Sequence, residues 1–110
     1  MIQVVLPAYN EAASLRELLP QLTENLRRER LNYVIYVVDD GSKDDTGNVV
    51  KRYALKDRRV RLVKHRQNQG LAEAINSGFK KALRNSRESD ILITMDADNT
   101  HLPGLVMRMV

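Results

Sequence analysis

The stretch "YVIYVVDDGSKDDTGNVVKRYAL" (33–55) decides the fold. Tyr33 to Val38 is an apolar run without alternation, the pattern of a strand buried on both faces of a parallel sheet. Asp39 and Asp40 follow at once, then a Gly41-Ser42 turn, then Val49, Val50, Tyr53 and Ala54 at helical spacing. Strand, polar loop and helix in that order form half of a β-α-β unit. The acid pair is the unusual part, because adjacent anions beside a buried strand repel each other and lose hydration.

Outward from that stretch the pattern repeats. "IQVVL" (2–6), "VRLVKH" (60–65) and "DILITM" (90–95) read as further strands. A helix is expected over 11–29, with Leu15, Leu18, Leu19, Leu22 and Leu26 on its apolar face and Pro20 kinking or dividing it. Another is expected over 71–83, with the apolar residues Leu71, Ala74, Ile75, Phe79 and Ala82 along it, and a last one begins at 102–110. The order β-α-β-α-β-α-β-(α) predicts an α/β fold, a Rossmann-like parallel sheet with helices on both faces. Residues 1–110 form one domain, and the chain ends in an apolar helical run with no cap or stop signal, so it is expected to be a fragment cut after the fourth strand.

With 110 residues, 43% hydrophobic and 29% charged, the composition is that of a globular domain. No apolar run approaches the roughly 18–20 residues of a membrane span. The N-terminus lacks signal-peptide features and cysteine is absent, which fits a cytoplasmic protein. The net charge of +4 comes from clusters such as Arg27, Arg28 and Arg30, or Lys56, Arg58, Arg59 and Arg61. With no tryptophan, a single phenylalanine and no recognisable nucleic-acid motif, these read as solvated faces, with attraction to phosphorylated substrates or anionic lipid headgroups as the alternative, and no nucleic-acid partner is expected.

Parallel α/β sheets bind ligands beyond the carboxyl ends of their strands. Four polar stretches fall there: "PAYNE" (7–11), "DDGS" (39–42), "HRQNQG" (65–70) and "DADNTH" (96–101). Asp96 and Asp98, with no cysteine and two histidines in the chain, suit a hard divalent cation such as Mg²⁺ or Mn²⁺ that bridges to a diphosphate, or else, as a short D-x-D, cap the following turn or helix. His65 and His101 are read as loop residues outside any metal shell. Ser42 to Asp45 has the spacing of a capping box, so Ser42 is read as a helix cap rather than a nucleophile. The Walker A loop, the G-x-G-x-x-G fingerprint and the G-x-S-x-G elbow are all missing from the sequence.

Four segments in this order, "VVLPAYNEAASL" (4–15), "VVDDGSKDDT" (37–46), "NQGLAEAINSGFKKA" (68–82) and "ITMDADNTH" (93–101), resemble the nucleotide-binding half of a family 2 glycosyltransferase with the GT-A fold. "MDADNTHLP" is most similar to the dolichol- or polyprenyl-phosphate sugar synthases, although Leu102 here separates His101 from Pro103. The resemblance implies an inverting, metal-dependent transfer of a sugar from a UDP- or GDP-linked donor to a polyprenyl phosphate or a glycan. It implies that Asp39, with Asp40 as second candidate or structural partner, accepts a hydrogen bond from the base. Pro7, Tyr9 and Glu11 would line base and ribose, Gly70 would let the backbone approach the nucleotide, and Arg66 would balance phosphate charge. Asp96 would contact ribose or the metal and Asp98 would hold the metal. A general base, if the acceptor needs one, would lie outside the chain. The alternative is a non-catalytic nucleotide-binding module on the same fold. A sheet cut short would leave an edge unpaired, so a homo-oligomer is expected, and lipid-linked chemistry implies the cytoplasmic face of a membrane.

Overall fold

The computed structural model describes residues 1–84, 87 and 90–97. Seven elements follow one another: β1 (Ile2–Ala8), α1 (Ala12–Arg28), β2 (Tyr33–Asp40), α2 (Thr46–Lys56), β3 (Val60–His65), α3 (Leu71–Arg84) and β4 (Ile91–Thr94). The strands form one parallel sheet in the order β3-β2-β1-β4. The expected parallel sheet with helices on both faces is thus present. Asp98, His101, Pro103 and the helix expected over 102–110 lie outside the described residues.

Successive strand residues face opposite sides, and the core divides accordingly. Ile2, Val4, Leu6 and Ala8 of β1 join Tyr33, Ile35 and Val37 of β2 against the leucines of α1 and Val49 and Val50 of α2. On the other face Val5 and Val38 meet Ala74, while Val34 and Tyr36 meet Ala82, all under α3. The order in which the strands are laid down reverses at β1 and β4, which stay parallel. The path runs from β1 through β2 to β3, then α3 carries it back across the sheet to β4. Such a reversal opens a crevice at the carboxyl ends of the two strands beside it.

Pro7 marks that crevice. In β1 the even residues turn their backbone groups toward β2, as Ile2 N–H does to Asn32 O (2.8 Å). The odd ones turn toward β4, where Val5 O accepts Met95 N–H (3.2 Å). Pro7 is therefore the residue whose N–H would continue the ladder toward β4, and proline has none. Pairing between β1 and β4 ends at Val5–Thr94, whereas pairing with β2 continues through Pro7–Val38 to Ala8–Asp39. A proline inside a central strand breaks no bond here because it stands where one ladder stops.

Two expectations are corrected. Pro20 does not divide α1, which runs unbroken from Ala12 to Arg28. Proline forfeits one backbone bond, to the carbonyl four residues earlier. That carbonyl belongs to Arg16, and both residues are exposed, so water can satisfy it. Asp39, Asp40 and His65 are not loop residues; they end β2 and β3. Leu71, at the start of α3, is 62% exposed.

α3 lies close to the sheet because its buried stripe, Ala74, Gly78 and Ala82, is small. A Cβ on Gly78 would stand 2.3 Å from Val5 Cγ1 and 3.1 Å from Val38 Cγ2. Valine is stiff at χ1 and cannot swing away. Overpacking typically costs about 1–3 kcal/mol, and the better helix propensity of alanine returns at most about 1 kcal/mol. Gly78→Ala is expected to destabilise the chain by about 1–2 kcal/mol, read as a lower denaturation midpoint at unchanged slope; an equal or higher midpoint would show that α3 can lift without loss.

Candidate functional site

The loops after β1 and β2 hold each other. Asn10, in the left-handed region (φ 55°) that asparagine tolerates better than most residues, accepts at Oδ1 from Lys43 N–H (2.9 Å) and Asp44 N–H (3.4 Å). Its own N–H donates to Ser42 Oγ (2.9 Å). Glu11 N–H donates to Thr46 Oγ1 (3.0 Å) and Ala12 N–H to Asp44 Oδ2 (3.3 Å). Backbone donors at the start of α1, which no helical carbonyl can meet, are thus met by the neighbouring loop. Ser42 serves Asn10 and does not cap α2, so the capping-box expectation fails. Asp45 is the N-cap of α2 and makes no side-chain cap bond. Burial of Asp44 would raise its carboxyl, but bonds from the Thr46 hydroxyl and amide and the Ala12 amide outweigh it and hold the group below the ordinary aspartate range.

Alternation along β2 separates the acid pair. Asp39 (1% exposed) points to the α1/α2 face, accepts Ser42 N–H at Oδ1 (2.9 Å) and has Gly47 against Oδ2, where a Cβ would come within 2.9 Å. Asp40 (4% exposed) points to the α3 face. Its Oδ1 meets His65 Nδ1 (2.8 Å) and Gln69 N–H (2.9 Å), and its Oδ2 accepts Gly70 N–H (3.0 Å). Burial pushes this carboxyl up, yet the bonds from His65 and the two amides prevail and hold it low. Gly70, with φ 97°, turns the loop into α3 and has open space where a Cβ would stand, so it serves for its conformation. Gly41 serves for close approach, since a Cβ there would lie 2.4 Å from Asn68 N.

His65, 8% exposed, continues the chain, with Nε2 2.7 Å from Ser77 Oγ. Because an ionised Asp40 only accepts, Nδ1 carries a proton, and in the neutral ring Nε2 accepts the Ser77 hydroxyl. Asp40, His65 and Ser77 have the connectivity of an acid–base–nucleophile relay. His65 and Ser77, however, line neither cleft described next.

Two adjoining clefts occupy the carboxyl edge of the sheet. One, of about 260 Å³, is lined by Pro7, Ala8, Tyr9, Asp40, Asn68, Gly70, Leu71 and Ala74. Its neighbour, of about 310 Å³, lies at the β1/β4 reversal and shares Pro7, Tyr9 and Leu71 while adding Glu11, Asp96 and Ala97. The expected residues Pro7, Tyr9, Glu11, Asp40, Gly70 and Asp96 therefore come together. Asp39 and Arg66 line neither cleft: Asp39 faces the other side of the sheet, and Arg66 is exposed. Asn68, in the turn the resemblance lays over the nucleotide, lines the first cleft, and Leu71 is a lining residue the motif reading left without a role; Leu71 lines both clefts. Glu11 and Asp96 on one cleft offer the hard oxygen donors a divalent cation takes. Among the described residues, no three histidine, cysteine, aspartate or glutamate side chains form a ready ligand set. No described helix is long and apolar enough to cross a membrane.

The sequence model of Glycosyl transferase family 2 matches residues 3–110. The dolichol-phosphate mannosyltransferase of Pyrococcus furiosus is 33% identical over 109 residues, 99% of this chain and 29% of that protein. The polyprenol monophosphomannose synthase of Mycolicibacterium smegmatis is 37% identical over 108 residues, covering 97% and 38%. Among solved structures, a mannosyltransferase from Pyrobaculum calidifontis in complex with GDP-Man and Mn²⁺ matches with a TM-score of 0.72 at 31% identity, over 88% of this chain and 27% of that one. Glucosyl-3-phosphoglycerate synthase from Mycobacterium tuberculosis in complex with UDP matches at 0.69 and 26% identity, over 97% and 37%. The chain spans about a third of the length of the curated relatives it matches.

Acid should loosen this edge of the molecule. Asp40, Asp44 and, at the opposite edge, Asp57 all ionise more readily folded than unfolded; at Asp57 burial is outweighed by bonds from Tyr33, Arg59 N–H and Arg27. The unfolded chain therefore binds protons first, and the stability these groups supply above about pH 4 is lost as pH falls through their lower folded values. Denaturant unfolding from pH 7 to pH 3 should show a plateau and then a fall, and Asp40→Asn should reduce the fall. A stability independent of pH in that window would contradict the bonding described for these carboxylates.

Proposed function

Because this chain belongs to glycosyl transferase family 2 and carries its Rossmann-like GT-A fold, we propose that it is the nucleotide-sugar-binding part of an inverting enzyme. The reaction moves a sugar from a nucleoside diphosphate to a polyprenyl phosphate. The observation that carries the reading is the pair of adjoining clefts at the β1/β4 reversal, one mostly apolar and one bearing two carboxylates. The apolar cleft suits a base: Pro7, Leu71 and Ala74 supply walls and Tyr9 a ring face. Asp40 has three donors on a carboxylate that can accept about four, so one lone pair on Oδ2 remains for a ring N–H of the base. This role falls to Asp40 rather than Asp39, which holds the turn beneath it. Uracil and guanine both carry such an N–H, and either fits the reading.

The second cleft then receives ribose and diphosphate. Anionic walls against an anionic ligand call for a cation, and Asp96 with Asp98 would hold Mg²⁺ or Mn²⁺. The cation would supply the positive charge that stabilises a leaving diphosphate. The Mn²⁺ in the Pyrobaculum enzyme's complex supports that reading. Arg66, exposed on the loop after β3, would balance phosphate charge. In the transfer, an acceptor oxygen forms a bond to the anomeric carbon from the side opposite the diphosphate. The bond from that carbon to the diphosphate oxygen breaks, and its electron pair leaves with the diphosphate. A phosphate monoester acceptor is largely ionised at neutral pH, its second pKa being about 6, so no base is needed. A glycan hydroxyl would need a base from a further segment.

Relatives named for dolichol and polyprenol phosphates support the lipid acceptor, and with it a place at the cytoplasmic face of a membrane. β4 ends the described sheet and offers its outer edge for pairing between two copies. Calorimetric titration of UDP and GDP into the chain, with and without Mn²⁺, tests the central claim. One nucleotide is expected to bind more tightly with Mn²⁺, and Asp98→Ala should abolish the metal's effect. Absence of binding for both nucleotides under every condition would refute the reading.

A further inference from the structure

Asp40 does two things at once. It lines the apolar cleft, and through Gln69 N–H and Gly70 N–H it holds the loop whose Asn68 and Gly70 line the same cleft. A carboxylate with two loop amides on it can still rotate about its Cβ–Cγ bond, and rotation would carry the loop along. His65 removes that freedom by meeting Oδ1, the oxygen that also accepts Gln69 N–H. Ser77 in turn fixes His65 by its far nitrogen. Ser77 lies on α3 about two turns beyond Gly70, and Gly70 O accepts the Ala74 N–H that opens the helix (3.0 Å). The contacts close into a ring: the end of β2, the end of β3, the middle of α3, and back along α3 to the loop on Asp40. On its other side the loop abuts the backbone of Gly41.

From this ring we propose that His65 and Ser77 are positioning residues for the nucleotide: acting through Asp40, they hold the 67–70 loop and the carboxylate itself in the arrangement that lines the base cleft. The inference rests on the proposed function for the identity of the ligand, but not for the loop geometry. Neither residue touches the clefts, so neither is catalytic. Every member of the ring is a short polar side chain or a backbone amide, so losing one bond frees the loop without emptying the core.

The test uses the full chain and the variants Ser77→Ala, Ser77→Thr and His65→Gln. Amide hydrogen exchange is read by NMR without nucleotide, and UDP and GDP are then titrated with Mn²⁺. Ser77→Ala is expected to leave the thermal midpoint nearly unchanged. It should speed exchange at Gln69 and Gly70 about tenfold relative to core amides of β1 and β2, and raise the nucleotide Kd roughly three- to tenfold. His65→Gln should do more of both, and Ser77→Thr, which keeps the hydroxyl, should restore slow exchange. Unchanged exchange at Gln69 and Gly70 in both Ser77→Ala and His65→Gln overturns the proposal. So does a rise shared equally by β1 and β2, which would mark general loosening. If the parent chain binds neither nucleotide, the proposed function falls, while the exchange rates still decide whether His65 and Ser77 hold the loop.

Discussion

A carboxylate can be buried only where donors replace the water it loses. Asp40 sits almost wholly out of solvent at the end of a central strand and is met by an imidazole and two backbone amides. Those donors come from β3 and from the loop leading into α3, so satisfying one charge fixes how three segments meet. The first cleft is the space left between that arrangement and the end of β1. Removing the charge would remove the reason for the loop to lie where it does.

The adjacent Asp39 obeys the same requirement on the opposite face. It takes the Ser42 amide and stands against the glycine of α2, shaping the turn that Asn10, Ser42, Asp44 and Thr46 then tie to the start of α1. Two acids that look redundant in the sequence are separate anchors, one for each helical layer. Their mutual repulsion is small because a strand turns neighbouring side chains apart.

At the reversal between β1 and β4 the controlling feature is an absence of a donor. Pro7 has no N–H to extend the ladder toward β4, the strands stop pairing there, and the carboxylates of Glu11 and Asp96 line the opening. A cleft with apolar walls thus adjoins one that bears two carboxylates.

Much of this was legible in the residues alone. The apolar run at 33–38 and leucines at helical spacing in α1 made the element order legible, because burial on two faces of a strand or one face of a helix leaves a trace in the sequence. The same regularity located four polar stretches at one edge of the sheet, and the sequence by itself therefore determined the fold class and the place of the site. It did not determine which of Asp39 and Asp40 lines the cleft, that Ser42 would serve Asn10 and not α2, that Pro20 would leave α1 whole, or that His65 would bridge Asp40 to Ser77. Only the tertiary structure decided these. The physical reason is that hydrogen-bond partners here lie 12 to 33 residues apart, and no local period or short motif encodes a contact whose two halves meet only after the sheet and helices have packed.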